Sequence, residues 1–271
     1  MVFHRNAVAG HKAVFQIKFN VDDDQEFKID GKALPTNVHV KLAADLTVQS
    51  EVVAVDKNGY VTEQKLTVKF CQCTKDGATT DLFKPQDEIV IKNETPRQFT
   101  VLGKPASPLQ KTTLDQVFSN GADDPGADDR VFNPGHKVKV GESWLIHAEE
   151  AAAGLSKKLG STLSKDAVKG NVKLDAANPK NGIPCLQLVG ELQLDAGGLP
   201  LPGAPPEIKA KKFDTSFTMK GDFPIDPKVE QQSENIKMIS TAEGGGTMQN
   251  GTEVTFKLTK TQTKEITILA P

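Results

Sequence analysis

The stretch Phe15-Gln16-Ile17-Lys18-Phe19-Asn20-Val21 alternates strictly between apolar and polar side chains. Successive side chains of a β-strand point to opposite faces, so this stretch predicts a strand with one dry face and one wet face. The same period of two recurs along the chain, at Val38–Leu42, Leu66–Phe70 and Val254–Leu258. We therefore predict a mainly β fold, with roughly a dozen strands in one or two large curved antiparallel sheets.

The composition limits the kinds of partner that this protein is expected to bind. Hydrophobic residues make up 37% of the 271 residues and charged residues 25%, which is typical of a folded globular protein. The net charge of -2 does not favour nucleic acid or an anionic membrane surface as a partner. No apolar run reaches the ~18–20 residues that a transmembrane helix needs.

Turn residues predict three hairpins and a separate last strand. Asn58-Gly59 lies between two alternating runs from Ser50 to Phe70, and tight hairpin turns favour this dipeptide. Residues 178–182 predict a second turn. Gly244–Gly246 predicts a third one, with Asn250-Gly251 before the strand that contains Val254. Ile266–Leu269 is predicted as a separate last strand.

Two stretches predict short helices that pack on the sheets. In the first, at about 107–119, Ser107-Pro108-Leu109-Gln110 combines an N-cap, a first-turn proline and a capping-box glutamine. In the second, at about 148–159, an apolar stripe follows acidic residues and ends before Gly160, a natural terminator.

The chain divides into two halves of similar outline. Residues 1–145 would form a first β-rich half that includes the first helix, and residues 146–271 a second half that begins with the other helix. Each half contains a hairpin, a turn-rich insertion and a further strand. This order leads to the hypothesis of an internal duplication, although identity between the halves is slight.

The segment Lys257–Lys264 alternates threonine and lysine with other residues. Such a strand is expected to present a solvated outer face. Charged side chains of this kind also protect the edge of a sheet from pairing with other chains. We therefore expect this segment to be solvated and to blunt a sheet edge.

Three cysteines do not form a disulfide framework. Cys71 and Cys73, two residues apart in a predicted strand, would share one face, and Cys185 is isolated. We interpret all three as buried or half-buried thiols. A disulfide between Cys185 and one of the other two is the alternative.

An acidic loop is the strongest candidate for a metal site. Residues 121–130 repeat Gly-Ala-Asp-Asp, and Ca²⁺ prefers several carboxylate oxygens on a flexible loop. The candidate ligands are Asp123, Asp124, Asp128 and Asp129. The spacing of an EF-hand is absent, and a solvated loop without metal is the alternative that we prefer.

The stretch Gly197–Pro206 holds apolar residues among prolines and glycines that cannot continue a helix or a central strand. This stretch could be a polyproline-II docking segment, or Leu199 and Leu201 could form a mobile lip over an apolar cavity. A stiff connection that packs both leucines on the sheet is the alternative.

Motifs of known catalytic sites are absent from the sequence. No Gly-x-Ser-x-Gly elbow occurs, and the glycines between 246 and 251 precede a threonine where a phosphate loop requires lysine. His147 and Glu150 are three apart and could meet on one helix face. The first turn of a helix is more often solvated than metal-bound, and we prefer that interpretation.

The segment Lys137-Val-Lys-Val-Gly-Glu-Ser-Trp144 resembles a V-x-V-G-[DE]-x-W element of uncharacterised secreted β-rich proteins of bacteria, of a planctomycete type. The hairpin from Glu51 to Val61 is similar to an early element of the same proteins. The resemblance implies an exported β-rich protein without known functional residues. The first residues lack the basic and apolar pattern of an export signal, so a periplasmic or surface location requires a removed signal, and a cytoplasmic one otherwise follows.

These patterns lead to two functional hypotheses. The first is a non-enzymatic binding or envelope-associated protein that holds an apolar small molecule or a protein partner on a curved sheet. The alternative is a hydrolase with a metal or acid site built from the acidic loop and the His147/Glu150 pair. We favour binding over catalysis.

Overall fold

A computed structural model describes residues 7–34, 38–94, 96–118, 127–200, 204–226 and 228–269. In these ranges the chain is 59% strand and 12% helix, which confirms the mainly β fold. In chain order the strands are β1 (Lys12–Ile29), β2 (Lys32–Ala33), β3 (Val38–Val55), β4 (Val61–Lys75), β5 (Ala78–Thr79), β6 (Glu88–Lys92), β7 (Gln98–Val101), β8 (Lys104–Pro105), β9 (Ser143–Leu145), β10 (Val168–Lys180), β11 (Ile183–Ala196), β12 (Leu199–Pro200), β13 (Lys209–Pro224), β14 (Ser233–Thr247) and β15 (Glu253–Leu269). The helices are α1 (Pro108–Val117), α2 (Ala127–Phe132) and α3 (Ala148–Leu159).

The fifteen strands form one antiparallel sheet that does not close into a barrel. Its main path runs β8-β7-β6-β4-β3-β1-β15-β14-β13-β11-β10-β9, and the two-residue strands β2, β5 and β12 pair beside it. The first and last long strands, β1 and β15, are neighbours in the middle of this path. The centre of the sheet therefore depends on pairing between the two ends of the chain.

The predicted alternation holds across the whole sheet and gives it two different faces. Ile17, for example, lies opposite Leu46 on β3 and Ile266 on β15. We call the face that carries these side chains the inner face. The opposite, outer face carries mostly Thr, Lys, Glu, Asp and Gln side chains, as in the cross-strand row Asn20, Thr263, Lys237 and Thr218. One dry and one wet face is the arrangement expected of an antiparallel sheet.

Two apolar clusters cover most of the inner face. The first is built on β1, β3, β4 and β6, and α1 packs on it through the buried residues Leu114 and Val117. The second is built on β10, β11, β13, β14 and β15, and it includes Ala151 and Ala152 of α3. Both predicted helices therefore exist and pack on the sheet.

Local signals placed the helix ends correctly. The Ser107 side chain accepts a hydrogen bond from the Gln110 N–H, and the Gln110 side chain accepts one from the Ser107 N–H, which completes a capping box. Gly160 follows α3 in the left-handed conformation, with a φ of 62°. A φ of this sign favours glycine, which explains why the helix ends there.

The first two hairpins are confirmed. The Asp56 carboxylate accepts hydrogen bonds from the N–H groups of Asn58 and Tyr60 and closes the turn between β3 and β4. The second turn is tighter than the predicted 178–182, because β10 continues to Lys180 and only Asn181-Gly182 connects it to β11. Both residues have positive φ values, 51° and 76°, as a two-residue hairpin turn requires.

The third prediction is confirmed only in part, because the chain reverses at Asn250-Gly251 and not at the three glycines. Gly244–Gly246 does not form a turn but lies inside β14, which continues to Thr247 before a turn at Asn250-Gly251. The reason is close packing of backbones: a Cβ on Gly244 would lie 2.1 Å from the Lys209 carbonyl oxygen. Here glycine permits neighbouring chain segments to approach and does not reverse the chain.

Two expectations about the last strand were also wrong. Val254 and Ile266–Leu269 belong to a single 17-residue strand, β15, and this strand lies at the centre of the sheet. The segment Lys257–Lys264 therefore does not blunt an edge. Lys264, moreover, points to the inner face and is only 3% exposed.

The division at residue 145 and the internal duplication stay predictions. The sheet is continuous across the two halves, and the second cluster includes Phe132, Trp144 and Phe256. Residues from both sides of the predicted boundary thus share one core.

Candidate functional site on the inner face of the sheet

Only part of the predicted metal site can be placed. Asp128 and Asp129 lie in the first turn of α2, a six-residue helix that the sequence patterns did not predict. Asp123 and Asp124 lie outside the described residues. In the described ranges, no three His, Cys, Asp or Glu side chains are grouped so that they could hold a metal ion.

The His147/Glu150 pair is engaged in contacts with α2 and the residues that follow it. The ring Nε2 of His147 donates a hydrogen bond to the Asn133 carbonyl, at 2.9 Å. The Glu150 carboxylate lies 3.4 Å from Nε of Arg130. These contacts hold α3 against α2, so the pair has a structural role in the described chain.

The predicted lip is described in part. Leu199 lies in β12, pairs with Ala210 of β13 and is 5% exposed within the second cluster. Leu201 lies outside the described residues. The position of Leu199 agrees with the alternative interpretation, in which this leucine packs on the sheet.

All three cysteines are free thiols. Cys71 and Cys73 share the inner face of β4, and burial raises the pKa of both thiols. Cys185 lies near the start of β11 and is buried. The alternative disulfide with Cys185 is therefore wrong for this structure.

A strip of half-buried apolar side chains lies on the inner face along the margin of the second cluster, and five of its six members pack against that cluster. We call it the inner strip, and its six side chains are half-buried: Phe27, Leu192, Phe213, Phe217, Met238 and Leu258. Phe217 lies directly opposite both Met238 and Leu192, so these three form one cross-strand row. Phe213 and Leu258 lie on either side of Ala242 in a second row.

The strip follows from the alternation of five strands. It extends over β1, β15, β14, β13 and β11, a width of about 19 Å at ~4.8 Å per strand spacing. From Val21 to Phe27 it runs about 20 Å along the strands at ~3.4 Å per residue. In the described part of the chain, α3 lies against β10, beyond β11, and the strip side chains stay partly exposed to solvent.

A polar row crosses the strip between its two apolar rows. It consists of Asp23, Lys260, Ser240 and Thr215, which lie opposite one another on β1, β15, β14 and β13 and are all half-buried. The Thr215 hydroxyl donates to the Ser240 hydroxyl at 3.0 Å, and the Gln25 amide donates to the Asp23 carboxylate at 3.1 Å. Asp23 and Lys260 are direct neighbours in the ladder, yet no ion pair within 4.0 Å joins these two described residues.

The strip ends at a buried charged group. Lys264 lies two positions beyond the inner-facing Gln262, and its Nζ is 3.8 Å from the Glu234 carboxylate. Burial lowers the pKa of Lys264 and raises the pKa of Glu234, while the opposite charge of each partner works against both shifts. Asp128 of α2 and Arg97, which precedes β7, also act on Lys264 electrostatically. These two charges therefore lie near Lys264.

One depression of about 200 Å³ lies on β13, β14 and β15, and its lining includes Ala242 and Leu258 beside outer-face residues. Its charged lining consists of Lys212, Asp214, Glu243 and Lys257. Lys212 and Asp214 already pair with each other at 3.0 Å, and that contact raises the pKa of Lys212. The inner strip is therefore the stronger candidate site.

Sequence reasoning missed the inner strip as a site. The signal was present, because Phe213, Thr215 and Phe217 alternate with charged or polar residues, as do Leu258, Lys260 and Gln262. A polar residue at an inward position between apolar ones interrupts the dry face. Without the strand order, these interruptions could not be aligned into one row.

The fold and the strip define an open antiparallel β-sheet protein with a one-sided apolar surface. No family model matches the sequence, and no curated protein matches it, so the resemblance to secreted bacterial β-proteins stays a prediction. A solved structure of lipovitellin, which concerns lipid–protein interactions, is similar to this chain with a TM-score of 0.37 and 7% identity. The alignment covers 97% of this chain and 25% of lipovitellin, a likeness too low to assign the chain to a family. In the described ranges, no helix has the length and hydropathy needed to cross a membrane.

Proposed function

We propose that this protein is a non-enzymatic binding protein whose inner strip holds the hydrocarbon part of a small apolar ligand. The observation that carries the proposal is the two rows of half-buried apolar side chains on the dry face, which stay partly exposed to solvent at the margin of the second cluster. A sheet normally covers its dry face completely. Apolar side chains that stay partly exposed on that face support a binding role.

A small ligand fits the strip better than a protein partner does. The strip is about 19 Å by 20 Å, and a standard protein interface buries roughly 800 Å² on each partner. The strip also lies between covered regions, with α1 on one side and α3 on the other. One acyl chain spans about 15 Å, half of a ~30 Å bilayer core, and fits along one apolar row, which crosses about 19 Å of the sheet.

The apolar contact alone supports a weak complex. If chain and strip together lose roughly 350 Å² of apolar surface, the gross gain is about 9 kcal/mol at ~25 cal/mol per Å². Lost freedom of motion costs at least ~4 kcal/mol. The remaining ~5 kcal/mol corresponds to a dissociation constant of roughly 0.2 mM.

Titration with a fluorescent fatty acid, dansyl-labelled undecanoic acid, tests the proposal. We expect a saturable rise in dansyl fluorescence at one ligand per chain. Met238 and Ile239 provide a matched pair of variants, because they are adjacent in β14 and point to the inner and outer face. Met238→Gln should weaken binding about fivefold, whereas Ile239→Gln should leave it unchanged.

Two results would overturn the proposal. One is the absence of saturable binding by protein that unfolds cooperatively. The other is equal weakening by the two glutamine variants, which would place the dye away from the inner face.

A further inference from the structure

The polar row contains one cation, one anion and two hydroxyls on an otherwise apolar surface. Lys260 and Asp23 are both half-buried. The alternation of side chains along β15 and β1 directs both of them to the inner face. Partial burial removes water from a charged group, and an ion partner or hydrogen bonds must replace that water. Such groups on a dry face therefore point to a polar partner.

The two charges do not satisfy each other in the described structure. Their strands place them directly opposite, a position that favours an ion pair, but no contact within 4.0 Å forms. Asp23 instead accepts a hydrogen bond from Gln25, and Lys260 has no described carboxylate within that distance. Each charge thus retains capacity for a ligand group of opposite sign.

The charged groups near the polar row do not change its net charge. Lys264 lies on the same face of β15, but Glu234 already pairs with it at 3.8 Å. On the outer face, Asp22 and Asp24 lie near His39, and Asp22 also pairs with Lys41. The polar row is therefore close to neutral and offers one site for each sign of charge.

From this arrangement we infer that the ligand is a single-chain amphiphile with a zwitterionic headgroup, and that the headgroup lies on the polar row. The inference rests on the proposed function. The anionic part of the headgroup contacts Lys260, and the cationic part contacts Asp23. The hydroxyls of Ser240 and Thr215 add hydrogen bonds, and the chain lies on one of the two apolar rows beside them.

The inference also explains how binding could exceed the weak apolar contact. A hydrogen bond to a charged group contributes about 1.5–3 kcal/mol. Two such contacts would strengthen binding from about 0.2 mM to the low micromolar range or below. A neutral headgroup would gain much less from the same row.

Displacement of the dansyl probe by three twelve-carbon amphiphiles tests this inference. The competitors are dodecylphosphocholine below its micelle concentration, dodecanoate and dodecanol, which differ only in their headgroups. We expect dodecylphosphocholine to bind at least tenfold more tightly than dodecanol. Lys260→Met and Asp23→Asn should each remove most of that difference and leave dodecanol binding unchanged.

Lys257→Met is the matched control, because Lys257 lies three residues earlier on β15 and points to the outer face. It should change none of the three affinities. Equal binding of dodecylphosphocholine and dodecanol would overturn the headgroup inference and leave the proposed function intact. Tightest binding of dodecanoate, improved by Asp23→Asn, would overturn it in favour of an anionic ligand.

Failure of the probe itself to bind would overturn the proposed function, and with it this inference. Urea unfolding of each variant shows whether its fold is retained. Asp23→Asn changes few atoms, so it keeps the test valid if Lys260→Met unfolds.

Discussion

The Nζ of Lys264 and the Oε2 of Glu234 lie 3.8 Å apart on neighbouring central strands, with side chains that are 3% and 16% exposed. They lie on the inner face among apolar residues: Phe19 is directly opposite Lys264 on β1, and Ile236 is directly opposite it on β14. A buried pair of this kind loses much hydration, and its attraction offsets that loss only when both charges are present.

Removal of one member of this pair should therefore cost more than removal of both. We expect Lys264→Met to lower the free energy of unfolding by about 3–5 kcal/mol, because it leaves a buried carboxylate without its cation. The double variant Lys264→Met/Glu234→Leu should recover most of that loss. Urea unfolding of the wild type, the single variant and the double variant measures these differences in stability. A Lys264→Met variant as stable as wild type would contradict the argument.

The pH dependence of the single variants should have opposite signs. Burial raises the pKa of Glu234, so the folded state holds its proton more tightly than the unfolded chain, in which the carboxyl pKa is about 4.3. The contribution of Glu234 to the free energy of unfolding therefore increases as the pH falls from the raised pKa of the folded state towards the unfolded-state pKa. The loss of stability that Lys264→Met causes relative to wild type should therefore become smaller as the pH is lowered.

Glu234→Gln should show the reverse. Burial lowers the pKa of Lys264, so the folded state favours the neutral amine, and stability increases as the pH rises through the lowered pKa towards about 10.4. The deficit of Glu234→Gln should therefore shrink at alkaline pH. Unfolding series at several pH values, each referred to wild type, check both signs; a parallel pH response of the two variants would contradict the assignment.

Glycines inside strands should differ sharply in their tolerance of a methyl group. A Cβ on Gly244 would lie 2.1 Å from the Lys209 carbonyl oxygen, so the backbones of β13 and β14 must move apart. We expect Gly244→Ala to cost about 1–3 kcal/mol or more. In Gly190→Ala, the control, the nearest atom is the Met219 methyl at 3.6 Å, so its stability should stay within about 0.5 kcal/mol of wild type.

The cysteines provide a test of the core that needs no mutation. All three are free, and burial raises the pKa of Cys71 and Cys73, which keeps both as poorly reactive thiols at neutral pH. We expect Ellman's reagent to react slowly with the native protein and to count three thiols after unfolding without reductant. A count of one thiol would reveal a disulfide and contradict the structure.

Signals confined to neighbouring residues determined the local structure. The period of two, the Asn58-Gly59 turn and the capping box at Ser107 correctly predicted strands, a hairpin and a helix end, because each depends on contacts within a few residues. The same reasoning failed at Gly244–Gly246. Glycine there permits close approach to β13, about 35 residues earlier in the chain, and neighbouring residues do not indicate that contact.

The tertiary structure alone decided where those elements lie. The adjacency of β1 and β15 joins residues that are 225 to 255 positions apart, as in the pair Asp23 and Lys260. Only that register places Lys264 in the interior instead of on a solvated strand, and aligns the polar row across the inner strip. The physical reason is that alternation assigns each side chain to a face, whereas long-range strand pairing determines which side chains share that face.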